Sequence, residues 1–383
     1  MAMTGTPRLQ AGQPRADGAR SGEPALVAAQ VSQGQAGGRP PAGKEPAGPP
    51  VLTRDEIAYL VTLAARAPSV HNSQPWLFRL CGDALELYAD LGRMLPHADP
   101  DGREMLISCG AALFGLRLGL RKLGYAAHVT VLPDAAGTAR LAAPATPARP
   151  AQLFLVARVR PAGRAATTRQ EWDLLAAVPH RHTHDGRFAP GLVSPRLLAA
   201  LCEDAVAERA ELILVEHRDQ LRELARLVSA AADEQRGSVA VSADRQRWMR
   251  PGGPQASESV RESAWAGRED PDGQLSPATA VLVTASDTAA DWIAAGQALH
   301  RLLLHAATRW VFASLNTQPL ESPRFRAQIR ARLRLTGAPQ MLLKLGRANT
   351  TPAAPRRPAR ELMTAGQELA ASAAIVPAPP GQD

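Results

Sequence analysis

Two helical stretches of this 383-residue chain repeat one another at a fixed distance, and that repeat constrains the fold more than any other feature. At a constant offset of 186 residues Gly110 meets Gly296 and Ala112 meets Ala298, while Leu113, Leu116 and Leu118 meet Leu299, Leu302 and Leu304. The same offset carries Ala127 onto Ala313 and Pro133 onto Pro319 without a gap. Leucines at helical spacing match many helices, so the weight rests on the ungapped glycine and proline. Each segment leads on to a strand, Gln152–Val159 and Gln340–Leu345. Self-similarity of this kind reads as a duplicated fold.

The halves differ in their polar segments. Only the first carries Pro68-Ser69-Val70-His71-Asn72-Ser73-Gln74-Pro75-Trp76, between an amphipathic helix and a strand. Its two prolines fix φ and withhold two donors, and the residues between them have no regular ladder to satisfy. A ligand grip and a proline-stiffened turn both fit that description. The corresponding turn of the second half, near Ala210, is plain. Only the second half carries Arg181-His182-Thr183, just before its helix. Complementary clusters in two halves imply one composite site rather than two.

The formal charge of +8 comes mostly from arginine. No run of five basic residues or aromatic-interleaved basic stripe occurs, so the footprint of a nucleic-acid binder is missing. Clustered arginines serve an anionic small ligand such as a phosphate equally well. Cys81, Cys109 and Cys202 form no Cys-x-x-Cys pair, which argues against a disulfide framework and for a reducing, cytoplasmic setting. No apolar run is long enough to span a membrane, and no secretory pattern opens the chain.

In chain order, residues 1–51 hold eight prolines, nine glycines and no aromatic residue, the composition of a disordered extension. Thr53 and Glu56 form a capping box opening a helix that Pro68 stops. Trp76–Leu80 and Leu85–Ala89 read as a hairpin around Cys81-Gly82-Asp83. Asp99-Pro100 reads as an N-cap with proline at the first helical position, and the helix runs to Gly124. Val129–Leu132 and Leu153–Val159 are expected strands flanking a Pro/Ala-rich connector at 133–150. A second linker is expected at 161–170, then a helix from Arg196 to about Arg209, a strand at Leu212–Val215 and a helix from about Asp219 through Ala232. The polar stretch 235–277, with Trp248 and Trp265, reads as a lid or a disordered loop. Ala280–Thr284 is a strand, and Asp287 is expected to cap a long helix ending near Trp310. A short strand, a helix at about 323–334 and the strand Gln340–Leu345 follow, then a mobile tail after about 365. The domains expected are therefore 52–160 and 170–363, with tails outside them.

The stretch from Pro68 to Trp76 resembles the Pro-Ser-x-x-Asn-x-Gln-Pro-Trp motif of the FMN-dependent nitroreductases, and the chain is most similar to their Acg-type branch. Supporting segments are Asp99–Glu104, Ser108–Leu113, Asp291–Leu299, Gln318-Pro319-Leu320-Glu321 and Arg356-Arg357-Pro358, so the resemblance spans about residues 53–363. It implies an α+β fold in two tandem halves forming a pseudo-dimer, with an antiparallel-dominated sheet in each half and a long helix at its centre. It also implies one FMN between the halves and no need of a partner chain, hence a monomer.

Residue by residue, the resemblance places Arg181, His182 and Thr183 at the FMN phosphate, where a guanidinium fork suits the oxygens. Arg356 and Arg357 match a C-terminal basic pair gripping the same phosphate. Ser69, His71, Asn72 and Gln74, shaped by Pro68, match the loop reaching the flavin from the other half. Leu320 and Glu321, after Gln318, fall where the family offers a backbone N–H near flavin N5. One departure is Thr183-His184-Asp185 where the family continues Thr-Asn-Arg; Arg187 is a candidate substitute for the missing basic contact.

Two other readings stay open. His180, His182 and His184 alternate beside Asp185, as zinc ligands would, but no second His/Cys cluster joins them. His71 suits a hydrogen-bonding role better than that of a general base, because flavin chemistry needs no protein nucleophile. The expected function is ping-pong hydride transfer from NAD(P)H through FMN to a nitroaromatic or quinone-type acceptor. Its alternative is a lidded, flavin-sequestering protein with little turnover.

Overall fold

Thr53 opens the first helix as its sequence demands. Its N–H donates to the Glu56 carboxylate at 2.8 Å, and its hydroxyl accepts from the Glu56 N–H at 3.3 Å. The computed structural model describes residues 50–133, 152–184, 186–248, 277–348 and 354–364. All of these lie in the compact unit Gly48–Asp383. The expectations for residues 1–49, for 134–151, for Asp185, for 249–276 with Trp265, and for the tail from 365 fall outside the described residues.

The first half runs α1 (Arg54–Ala64), β1 (Trp76–Cys81), β2 (Ala84–Asp90), α2 (Arg103–Lys122), β3 (Tyr125–Val131) and β4 (Leu153–Arg164). Next come α3 (Arg169–Ala177), α4 (Pro195–Ala207), β5 (Glu211–Val215), α5 (Arg218–Arg236) and α6 (Val239–Trp248). The chain continues through β6 (Ala278–Thr284), α7 (Ala289–Ala307), β7 (Val311–Asn316), α8 (Gln318–Glu321), α9 (Pro323–Arg332), β8 (Ala338–Arg347) and α10 (Ala359–Leu362). The strands form two four-stranded sheets, β1-β2-β4-β3 and β5-β6-β8-β7, antiparallel at every pairing. The two orders are the same, as a duplication requires.

The halves meet through α2 and α7. Seventeen of the twenty residues of α2 are buried, so it is enclosed on all sides rather than amphipathic. A Cβ on Gly110 would fall 2.2 Å from the Ile293 carbonyl oxygen, and one on Gly296 would fall 1.9 Å from that of Ile107. Ile107 and Ile293 are themselves related by the 186-residue offset. A contact that reads identically from either helix is the signature of a two-fold relation, and glycine alone lets the backbones approach so closely.

Several boundaries differ from expectation, each for a physical reason. α2 starts at Arg103, not Pro100: Gly102 caps it in the left-handed region with φ 69°. The Asp99 carboxylate still serves the helix, accepting from the N–H groups of Glu104 (3.1 Å) and Met105 (2.9 Å). The expected linker at 161–170 is largely ordered, because β4 extends along β3 to Arg164 and Thr168 opens α3 with its own capping box. Thr288, not Asp287, caps α7 in a box with Asp291. Asp287 instead accepts from Trp292 Nε1 at 2.6 Å and Gln340 Nε2 at 3.1 Å. Thr288→Ala should therefore cost about 1 kcal/mol of stability, the usual worth of such a cap, measurable by urea unfolding; an unchanged midpoint would refute the assignment.

Candidate functional site

The helix α1 ends at Ala64, and the chain turns through Val70–Asn72 before β1. His71, Asn72 and Gln74 have φ of 45°, 55° and 46°, a left-handed run that side chains adopt only when the surroundings hold it. Those surroundings come from both halves. From the first half, the Val70 N–H donates to Ser108 Oγ at 3.2 Å, Gln74 N–H to Ser69 Oγ at 3.1 Å, and Arg93 Nη1 to the Ser73 carbonyl at 2.7 Å. Trp76, fully buried, anchors the loop in the core.

The far end of the chain completes the loop. Arg356 Nη1 donates to Asn72 Oδ1 at 3.0 Å, Asn72 Nδ2 donates to the Pro355 carbonyl at 3.2 Å, and Arg357 N–H donates to Gln74 Oε1 at 2.8 Å. Beyond it, Met363 pairs with Phe78 and Thr364 N–H donates to the Phe78 carbonyl at 2.9 Å. A C-terminal arm following the second sheet is thus stitched onto the first. The amides of Asn72 and Gln74 hold this arm in place and so position its two arginines.

Arg181 comes to the same place. Its Nη2 donates to the Arg66 carbonyl at 3.2 Å, and it is only 7% exposed. Among the described residues its Nε and Nη1, and the Nε of Arg356, have no hydrogen-bond partner, and neither guanidinium has a carboxylate within ion-pair reach. Burial, with Arg356 and Arg66 nearby, pushes Arg181 down to about 9; burial, with Arg66 nearby, pushes Arg356 down to about 10. Buried, unpaired donors of one charge are costly in isolation. An oxyanion would satisfy both at once.

His182 lies against Phe312 with ring centroids 4.2 Å apart, and Thr183 bridges to Ala313. His184 Nε2 faces the Arg187 carbonyl at 3.0 Å. The His182 and His184 rings also meet edge to face, with centroids 6.2 Å apart, and among the described residues no group of three His, Cys, Asp or Glu could hold a metal. Gln318, Leu320 and Glu321 lie on α8. The N–H groups of Leu320 and Glu321 both donate to the Thr317 carbonyl, at 2.7 and 3.1 Å, so the expected backbone donors are engaged within the turn. Leu320 is buried in a separate hydrophobic cluster.

Sequence reading overlooked His300. It sits on α7 beside the arginines; burial and the Arg181 charge push its imidazole down to about 3, and its Nδ1 donates to the Ala111 carbonyl at 2.7 Å. Its repeat counterpart is Phe114, so a polar residue replacing an apolar one across the repeat was the available signal.

The same comparison explains why the two halves are unequal. Phe114, Ala126 and Ala127 are the counterparts of His300, Phe312 and Ala313, where the segment 181–184 is seated. In the first half they line a cavity of about 390 Å³ rimmed by Arg117, Arg121 and Arg301. Each of these arginines has an acidic partner, in Glu208, Glu171 and Asp204 respectively. This cavity lacks the unpaired guanidinium groups that distinguish the site at Arg181.

α6 spans both halves. Asp244 accepts from the N–H groups of His97 (2.7 Å) and Ala98 (3.1 Å), Arg247 donates to the Gly92 carbonyl at 3.0 Å, and Arg93 stacks over Trp248 at 4.8 Å. On the other side, Arg245 lies 3.5 Å from the Glu321 carboxylate. The helix packs against the Val70–Asn72 turn. Among the described residues no helix is long and apolar enough to cross a membrane.

No protein-family model matches the chain. Among curated sequences, the Mycobacterium tuberculosis protein named "Putative NAD(P)H nitroreductase Rv3131" is 32% identical over 339 residues, covering 82% of this chain and 93% of the relative. The M. tuberculosis protein named "Putative NAD(P)H nitroreductase acg" is 40% identical over 84 residues, 22% of this chain and 25% of that one. Among solved structures, a nitroreductase with bound FMN from Desulfitobacterium hafniense aligns at 15% identity and a TM-score of 0.36, covering 51% of this chain and 98% of its own.

Proposed function

Since the chain belongs to the NAD(P)H nitroreductase family, in the branch that includes the Acg protein, we propose that it binds one FMN in the seam between its halves and passes reducing equivalents from NAD(P)H to a nitroaromatic or quinone-type acceptor. One observation carries this reading: the buried Arg181 and the half-buried Arg356 have shielded, unpaired N–H groups and no acidic partner among the described residues. A phosphate monoester offers two negative charges and three acceptor oxygens, which match those donors. The residues present therefore fit the phosphate end of FMN.

Arg181, with His182 and Thr183 beside it, and Arg356 with Arg357 would hold the phosphate. Pro68, Ser69, His71, Asn72 and Gln74 shape the facing loop, and the latter two fix the arm that carries Arg356 and Arg357. When bound, the flavin supplies the electron-transfer chemistry; the protein binds, orients and excludes water.

FMN absorbance and thermal denaturation with added FMN test this. The expected result is one FMN per chain and a rise in melting temperature, because the counterpart cavity at Phe114 has only neutralised arginines. A colourless protein whose melting temperature ignores FMN would overturn the reading, and two FMN per chain would overturn the assignment of the site. The position of α6 over the Val70–Asn72 turn favours a second reading, a flavin holder closed to NAD(P)H. Stopped-flow bleaching separates the two: reduction within the turnover time supports the reductase, and none within minutes supports the holder.

A further inference from the structure

Between the N-terminus of α2 and α8 lies a group of buried side chains with no part in holding a phosphate. Glu104 is 3% exposed; its Oε1 accepts from Arg103 Nη2 at 3.1 Å, and its Oε2 has no hydrogen-bond partner among the described residues. Glu321, from the second half, is its close like-charged neighbour. Glu321 Oε2 accepts from Gln235 Nε2 at 2.7 Å, and its Oε1 faces the Thr317 hydroxyl at 3.4 Å. That hydroxyl also borders Glu104. The charged groups around the pair are Asp99 and Asp101 from the loop before α2, Arg103 on α2, Arg245 on α6, and Asp287 with Arg326 behind Arg103.

Two neighbouring carboxylates shut away from water repel one another, and the single proton of the Thr317 hydroxyl between them cannot be donated to both. One proton removes both problems, since a protonated carboxyl becomes a hydrogen-bond donor. Burial pushes Glu321 up to about 7 against the pull of Arg245, and burial together with the Glu321 charge pushes Glu104 well above the usual carboxylate range.

The pair stands beside the candidate site. The Ser108 hydroxyl donates to the Glu104 carbonyl at 2.7 Å, and the same Oγ accepts from the Val70 N–H. One helical turn therefore separates Glu104 from the residue that holds the turn. The repeat counterpart of Glu104 is Ala290, so this arrangement occurs on the side of the Pro68–Trp76 loop and is not duplicated.

We propose that Glu104 and Glu321 hold one proton between them and act as the proton store of the seam site, an inference that rests on the flavin reading above. A quinone that gains a hydride equivalent, supplied by NAD(P)H, becomes a hydroquinone monoanion. The pair gives up its proton to complete the neutral hydroquinone, both carboxylates are left ionised, and the pair recovers a proton from water. Neither glutamate is oxidised or reduced.

Isotope-edited infrared spectroscopy of the FMN-loaded chain with carbon-13 glutamate tests this without turnover. Carboxylic-acid C=O absorption is expected to fall as pH rises through about 7, where Glu321 ionises, and to persist on Glu104 above it. It should vanish in both Glu104→Gln and Glu321→Gln, because a neutral neighbour lets the remaining carboxylate ionise. The pH profile of quinone reduction should lose its limb near pH 7 in the same variants, a change that a purely structural role would not produce. No band in the wild type, or a band persisting in either variant, overturns the proposal. The wild-type titration decides the matter even if a variant fails to fold. FMN retention on the same samples keeps the two readings apart: a chain that holds FMN but shows no band loses only the proton store. A chain that holds no FMN loses both.

Discussion

Replacing Arg181 with methionine should abolish retention of FMN while raising the melting temperature of the flavin-free protein. Both signs follow from one fact: the guanidinium is buried beside Arg356 and Arg66, with two of its nitrogens unpartnered among the described residues. Without an anion, a buried, uncompensated cation is a liability, and an apolar side chain of similar length is commonly neutral or stabilising by about 1–4 kcal/mol. With the phosphate bound, two charge-assisted hydrogen bonds at about 1.5–3 kcal/mol each would be lost. FMN affinity should therefore fall by roughly 10²- to 10⁴-fold. Differential scanning fluorimetry of the flavin-free variant and equilibrium FMN titration give the two readings. A destabilised variant with undiminished FMN affinity would mean that Arg181 is a structural cation and that the phosphate lies elsewhere. Arg181→Lys should recover only part of the affinity, because an ammonium lacks the planar fork.

Gly296→Ala should destabilise the protein by about 3 kcal/mol or more, at or beyond the upper end of ordinary overpacking. The new Cβ would lie 1.9 Å from the Ile107 carbonyl oxygen and 2.8 Å from the Ala111 nitrogen, both backbone atoms of α2 that no rotamer change can move. The helices must separate, and the leucines packed along the seam separate with them. Gly110→Ala meets the Ile293 carbonyl oxygen at 2.2 Å and should cost a similar amount. The double variant should cost less than the sum, because a single separation relieves both contacts. Gly237→Ala is the control: its φ is −73° and the nearest atom to a new Cβ is at 3.5 Å, so it should be neutral or slightly stabilising. Denaturant midpoints within about 0.5 kcal/mol of wild type for Gly296→Ala would dispose of the close α2–α7 contact.

The elements themselves were readable because their signals are local. Thr53 with Glu56 announced a helix start, and the apolar alternation from Trp76 announced a strand; both follow from forces acting over a few residues. The errors were of the same kind. Asp99-Pro100 had the local form of a helix start, but its carboxylate reaches forward to the N–H groups of Glu104 and Met105, and the helix begins later, at Arg103 after the Gly102 cap. Asp287 likewise had the form of a cap, but is drawn away by Trp292 and Gln340, and a residue from another strand cannot be seen in a local window.

The sequence by itself determined that this chain is two copies of one unit, that the copies carry different polar clusters, and which loop is stiff. Those properties are written in spacing and in backbone restrictions, and they survive without knowledge of the path of the chain. Only the tertiary structure decided what the polar residues do. Asn72 and Gln74 turn their amides to a C-terminal arm instead of an open cleft. Arg181 and Arg356 are brought together without an acid to pair them among the described residues, and Glu104 meets Glu321 across the seam. Whether a charge is paired, solvated or stranded depends on what the fold places within a few ångströms of it. Residues distant in sequence leave no local trace of that meeting.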